Sequence, residues 1–208
     1  MNYKKGIKNF FNSLSLQRIM ELKRWNGFET IKEESVGGHS YIVTMLVTVI
    51  VNSMMEVSDN DAFKYQALNY AIFHDWDEFI TGDVRHPVKY NNDYGEQIRE
   101  LLKKIIEQGV EEQFPNDGHC PINKLIHESI IVKPRPDVKA LVKLADWLSM
   151  YLFLDRENRM GNSVNNDALE YCRESTKVAV ANLSSEMPLF HMDYNDDVLT
   201  DIIDFIKK

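Results

Sequence analysis

The stretch SYIVTMLVTVIVNSMMEV, Ser40 to Val57, decides the fold. Its β-branched residues, among them Val43, Val47, Ile50 and Val51, suit a strand. Its length does not. Strands run for about 4 to 8 residues, and a strongly apolar stretch of this extent reads as a buried helix. With that run helical, the same period organises the rest. Residues 7 to 24 form a first helix, with Phe10, Phe11, Leu14, Ile19 and Leu22 toward the core. Gly27 and the Gly37-Gly38 pair mark a connecting loop. A helix over 62 to 79 follows a cap near Asp59 to Asp61. Gly82 closes it, and Pro87 continues the turn. Further helices are expected at 94 to 110, where Ile98, Leu101, Leu102 and Ile105 keep helical spacing, and at 122 to 131. Another covers 137 to 157, carrying Val138, Leu141, Val142, Ala145, Leu148 and Leu152. Helices over 165 to 182 and 196 to 206 finish the chain. There is no repeat and no alternation of strand and helix. The expectation is an all-α chain, a single compact domain over residues 1 to 208.

Composition narrows the class of function. With 208 residues, 44% of them hydrophobic, the chain can bury one substantial core. Lys and Arg number 24 against 32 Asp and Glu, a net charge of −8. No basic run offers a nucleic-acid face, so no stable nucleic-acid partner is expected. Cys120 and Cys172 match no thiolate metal motif and build no disulfide framework, which fits a reduced, cytoplasmic protein. The start, MNYKKGIKNFFNSL, lacks the long apolar core of a signal peptide. No run reaches the roughly 18 apolar residues of a membrane span, so no membrane partner is expected.

The chemistry gathers in YAIFHDWDEFITGDVRHPVKY, Tyr70 to Tyr90. His74 and Glu78, four apart on the expected helix, share a face, and Asp75 sits beside them. Imidazole and carboxylate together suit a divalent ion used in hydrolysis. His39, at the start of the long apolar helix, is a third candidate. Asp146 is a fourth, inside the apolar run ALVKLADWLSMYLF, where a lone carboxylate is costly without a partner or a metal. Each has an ordinary reading beside this one. His39 can simply cap a helix, Asp146 can pair with Lys143 or Arg156, and Glu78 and Asp83 can be solvated acids at a helix end.

These residues resemble the pattern of the HD-domain metal phosphohydrolases: a histidine, an adjacent His-Asp pair, and a distant aspartate. Here the positions are His39, His74-Asp75 and Asp146. The longer signature HDxxExxTGDxxxPVKY, present as HDWDEFITGDVRHPVKY, is that of the bacterial 5'-deoxynucleotidases, with phage deoxynucleotide hydrolases as relatives. Arg24-Trp25 matches an Arg-Trp pair that precedes the first histidine in those enzymes. The resemblance runs from about residue 14 to 155, with its core motifs between 24 and 146, and implies the HD-domain helical fold.

It further implies that His39, His74, Asp75 and Asp146 hold one divalent metal ion. Manganese, cobalt, zinc, iron or nickel suits such ligands, and magnesium suits them less. Glu78 is then the group that orients or deprotonates water, and Asp83 an acid on the substrate side. Arg24 and Lys89 become phosphate contacts. Trp25 crowds the sugar against a 2'-hydroxyl. Gly38 departs from the relatives, which often carry an acid there in SEH; its missing side chain can enlarge the pocket or alter base and phosphate selection. The implied reaction is hydrolysis of deoxyribonucleoside 5'-monophosphates. One alternative is release of intact triphosphate from deoxynucleoside triphosphates. Another is a non-catalytic, metal-binding helical adaptor, against which Glu78, Asp83 and Lys89 all stand. The relatives tend to form homodimers.

Overall fold

The computed structural model describes residues 15–54, 61–114, 121–132, 134–187 and 197–207. Their elements are helical: α1 (Ser15–Glu21), α2 (Val36–Met54), α3 (Asp61–Phe73), α4 (Glu78–Thr81), α5 (His86–Lys89), α6 (Gly95–Gln113), α7 (Pro121–Ile130), α8 (Pro136–Arg159), α9 (Asn166–Glu186) and α10 (Asp197–Ile206). Among the described residues, the β-type pairing is a single isolated bridge between Lys23 and Ser35. The all-α expectation therefore holds. Phe10, Phe11, Leu14 and Cys120 lie outside the described residues.

Backbone contacts divide the chain into two compact units. One is drawn from Met1–Gly27, Glu33–Ser40 and Phe73–Lys133, the other from Phe28–Lys32, Tyr41–Ile72 and Pro134–Lys208. Each unit has its own core. In the first, Ile19, Val36, Trp76, Phe79, Val110, Phe114 and Ile126 are buried together. In the second, Val43, Val47 and Val51 of α2 pack with Phe63 and Ala67 of α3, with Leu141, Leu144 and Ala145 of α8, and with Ala179 and Leu183 of α9. Loss of water from this much aliphatic surface is what holds the β-branched run helical despite its local preference. By length and composition α2 also qualifies as a membrane span, contrary to the expectation that no segment would. Its buried face is nonetheless the seam of the second core.

The helix ends follow from simple chemistry. Pro136 opens α8, where its missing N–H costs nothing. Asp137, fully buried in the first turn, is gripped by the Arg135 guanidinium at 2.7 and 3.2 Å. In the second unit the buried carboxylate of Glu157 accepts the backbone N–H groups of Ile31 (2.6 Å) and Lys32 (3.0 Å) and the Asn162 amide (2.9 Å). Burial raises its pKa, but these donors outweigh burial and leave it lowered.

Three helix bounds need correction. The first helix stops at Glu21, so Arg24 and Trp25 lie on a loop. Gly37 and Gly38 belong to the first turn of α2, not to the loop before it. The helix expected over 62 to 79 ends at Phe73, and His74 to Asp77 form turns before α4. On α6, Leu101 and Ile105 face solvent, while Ile106 and Val110 face the first core.

Candidate active site

The break after Phe73 builds the site. Trp76 N–H bonds to the Phe73 carbonyl at 3.0 Å, Glu78 N–H to Asp75 at 3.1 Å, and Phe79 N–H to Trp76 at 3.2 Å. These three-residue bonds wind the chain more tightly than an α-helix. Trp76 and Phe79, three apart, are thereby driven into the first core, Trp76 meeting the Phe73 ring edge-on at 5.1 Å. His74, Asp75 and Glu78 are left to form the polar side of the turn.

His39 comes to the same place from the first turn of α2. Ser35 caps that helix: its Oγ accepts the Gly38 N–H at 3.0 Å, and its carbonyl accepts the His39 N–H at 2.9 Å. A Cβ added at Gly38 would meet Ser35 Oγ at 3.2 Å and nothing else within 4 Å. The missing side chain thus bears on the helix cap.

Asp75 Oδ2 is the meeting point. It lies 3.3 Å from His74 Nε2, 3.7 Å from His39 Nε2 and 3.0 Å from Arg24 Nη1. The two imidazole rings are tilted, with centroids 5.4 Å apart. Burial pushes the Asp75 carboxyl up, but His74, Arg24 and His39 prevail and hold it below the usual carboxylate range. This donor set fits a small divalent ion. A tetrahedron with ligands about 2.1 Å from its centre has edges of roughly 3.4 Å, and the two imidazole-to-carboxylate separations bracket that value.

Glu78, at the start of α4, is 6% exposed. Burial first, then the Asp75 charge, push its pKa up to about 9, with Asp83 adding to the rise and Lys89 and Arg24 opposing it. Lys89 Nζ, on α5, stands 3.7 Å from Glu78 Oε1. Glu78 Oε2 has no hydrogen-bond partner among the described residues. Asp83 follows Gly82, whose φ of 74° turns the chain out of α4. Burial raises the Asp83 pKa, with Arg24 and Lys89 opposing.

The same arrangement has relatives. The model of the YfbR-like 5'-deoxynucleotidase family matches residues 9–198. The chain belongs to that family. Among its relatives, a 5'-deoxynucleotidase of Shewanella oneidensis is 34% identical over 155 residues, 74% of this chain and 77% of that one. A 5'-deoxynucleotidase of Yersinia pestis is 27% identical over 184 residues, 88% of this chain and 89% of that one. Two solved structures share the fold. The HD phosphohydrolase of cyanophage S-2L, bound to dA and one catalytic Zn²⁺ ion, has a TM-score of 0.61 at 18% identity, over 94% of each chain. An HD-domain phosphohydrolase of Listeria innocua has a TM-score of 0.63 at 22% identity, over 86% of this chain and 81% of that one.

For this YfbR-like chain, the first unit thus brings together Arg24, Trp25, His39, His74, Asp75, Glu78, Asp83 and Lys89. Asp146 lies on α8 in the second unit, 9% exposed, and accepts a hydrogen bond from Lys143 Nζ at 2.7 Å. That is one of the two pairings its sequence context allows. Two further acids belong to the first-unit cluster. Asp77, between the His-Asp pair and Glu78, is pushed up to about 6 by burial and then by Asp75. Glu34 accepts the Trp25 indole N–H at 2.8 Å and lies 3.7 Å from Arg24 Nε. Asp77 was legible as one more acid in a charged turn. Glu34 sits in the run KEES and looks like a solvated acid; only the folding back of residues 23 to 35 reveals it.

Proposed function

We propose that this YfbR-like protein is a metal-dependent 5'-deoxynucleotidase that cleaves deoxyribonucleoside 5'-monophosphates to a deoxynucleoside and phosphate. The observation that carries the reading is the convergence of His39 and His74 on Asp75, with Arg24 on the same carboxylate and a buried Glu78 one turn on. The names of the relatives supply the substrate class. His39, His74 and Asp75 would hold the ion, with Asp146 completing the set as the family pattern has it. Zinc is the ion bound by the cyanophage enzyme, and manganese, cobalt, iron or nickel suits the same donors. A divalent ion held there would supply Lewis acidity toward the phosphoryl group and acidify water.

The residues of the chain do the rest. Without an ion, burial and Asp75 keep Glu78 protonated at neutral pH; the positive charge of a divalent ion held beside it would favour the carboxylate, and in that form Glu78 takes the proton of the attacking water. Arg24 and Lys89 balance the charge that grows on the phosphoryl oxygens, the arginine through a planar fork and the lysine as a point charge. Asp83 returns a proton to the departing 5' oxygen of the sugar. Trp25 meets the sugar with apolar surface, where a 2'-hydroxyl would lose water and gain no partner. The chain acts as a single HD domain, and the enzyme works in the cytoplasm as a homodimer.

The test is turnover of deoxynucleoside mono- and triphosphates with each metal in turn, identifying the product released. Orthophosphate from the monophosphate, abolished by a chelator, is expected. Asp146→Ala should lose the ion while keeping its helix content. Intact triphosphate from the triphosphate would replace this reading with a triphosphohydrolase. No metal-dependent turnover of either would leave an adaptor.

A further inference from the structure

We infer that Glu34 is a positioning residue that holds Arg24 and Trp25 together as one substrate contact. The inference rests on the reading of Arg24 as the phosphate contact and Trp25 as the sugar contact. Both residues lie on the loop after α1, outside any helix that could fix their directions. The loop is closed at its base: Arg24 N–H bonds to the Glu34 carbonyl at 2.9 Å, and Lys23 pairs with Ser35. That closure fixes the backbone but leaves the side chains to be set.

One carboxylate oxygen reaches both. Glu34 Oε2 accepts the Trp25 Nε1–H at 2.8 Å and stands 3.7 Å from Arg24 Nε. An indole has two rotatable side-chain torsions, and pinning Nε1 restricts both. The Glu34 side chain is 12% exposed and Arg24 13%, so water competes weakly for either group. Trp25 also has a φ of 62°, the one left-handed non-glycine residue among those described. Such a backbone persists only where its surroundings hold it. Arg24 spans the cluster, its Nη1 on Asp75 and its Nε facing Glu34. Glu34 therefore ties the sugar side of the proposed site to the phosphate side without touching substrate.

The test compares kcat/KM for a deoxyribonucleoside monophosphate and its ribose counterpart in the wild type, Trp25→Ala, Glu34→Ala, Glu34→Gln and the Trp25→Ala/Glu34→Ala double variant. Trp25→Ala should narrow the preference for deoxyribose roughly tenfold. Glu34→Ala should reproduce most of that narrowing, and the double variant should add nothing, because both changes remove one arrangement. Glu34→Gln keeps an oxygen for the indole but loses the charge facing Arg24. It should hold the sugar preference near the wild-type value and raise KM for both substrates alike. A residue needed only for folding would lower both substrates equally in every variant, and that result overturns the inference, as does additive narrowing in the double variant.

A second readout does not depend on turnover. With indole ¹⁵N labelling, the Trp25 Nε1–H resonance, assigned by its loss in Trp25→Ala, should move upfield in Glu34→Ala. It should move part of the way in Glu34→Gln, a weaker acceptor. An unmoved resonance overturns the inference, and Glu34→Gln alone decides this point where Glu34→Ala fails to fold. Should Trp25→Ala leave the sugar preference intact, the sugar reading of Trp25 fails by itself. The resonance then judges the hold of Glu34 separately.

Discussion

Arg24 Nη1 donates a hydrogen bond to Asp75 Oδ2 across 3.0 Å, between residues 51 apart in the chain. The same oxygen faces His39 and His74. The proposed phosphate contact and the proposed ligand set therefore meet at one atom. Arg24→Lys keeps the charge but loses the fork. It should lower kcat/KM about 10- to 100-fold, the worth of a charge-assisted hydrogen bond. Bound metal, measured by elemental analysis, should stay at the wild-type level. Wild-type kinetics in this variant would remove Arg24 from the phosphate side.

Glu78→Gln preserves shape and removes the base. Turnover should fall by roughly 10²- to 10⁴-fold, with metal content and substrate affinity kept. The pair of measurements is single-turnover rate and equilibrium binding of a monophosphate. Near-normal turnover would assign the water to another group.

The metal-free protein should lose stability as pH rises. Glu78 titrates at about 9 and Asp77 at about 6 in the folded chain, against ordinary carboxylate values near 4 when unfolded. The folded state thus holds more protons above pH ~4, and the stability these groups contribute fades as pH climbs through their folded values. Melting in the presence of a chelator should show Tm falling from pH 5 to 9. Asp77→Asn should flatten that slope only up to about pH 6, whereas Glu78→Gln should flatten it throughout, because a carboxyl raised from about 4 to about 9 holds its extra proton across the whole interval. Asp75, whose pKa is lowered, has the opposite sign, and its effect lies at more acidic pH. A Tm that rises across the window would contradict the burial of these two acids.

Gly38→Glu should stabilise the fold. The residue is third in α2 and its N–H already bonds to the Ser35 hydroxyl. A glutamate there can reach back to the Ser35 N–H and complete a capping box, while removing a helical glycine, worth about 1 kcal/mol. Ser35 Oγ must yield slightly to a Cβ at 3.2 Å. A net gain of about 0.5–1 kcal/mol, or ~1–4 °C in Tm, is expected. Base preference, read from paired kinetics, should not change.

What the sequence revealed and what it hid have physical causes. The apolar spacing of α8 was legible because Val138, Leu141, Val142, Ala145 and Leu148 answer to one buried face. The HD signature was legible because its residues are close in sequence. The break after Phe73 was not, because Trp76 and Phe79 are three apart and fit a continuing α-helix as well as the tighter turn they adopt. Leu101 and Ile105 kept the period of α6 yet face solvent; period alone does not say which stripe is covered. Glu34 was hidden because its partners come from a chain reversal, and a solvated acid has the same local sequence.

The grip of Glu157 on the loop before α2 carries a consequence for variation. It holds Ile31 and Lys32 by their backbone N–H groups, and the side chains of both point to solvent. Such a tether recognises the peptide and ignores the residue identity. Positions 31 and 32 should therefore accept almost any substitution in a saturation library with little change in folding yield. Proline alone should be purged at each, since it brings no N–H to the carboxylate.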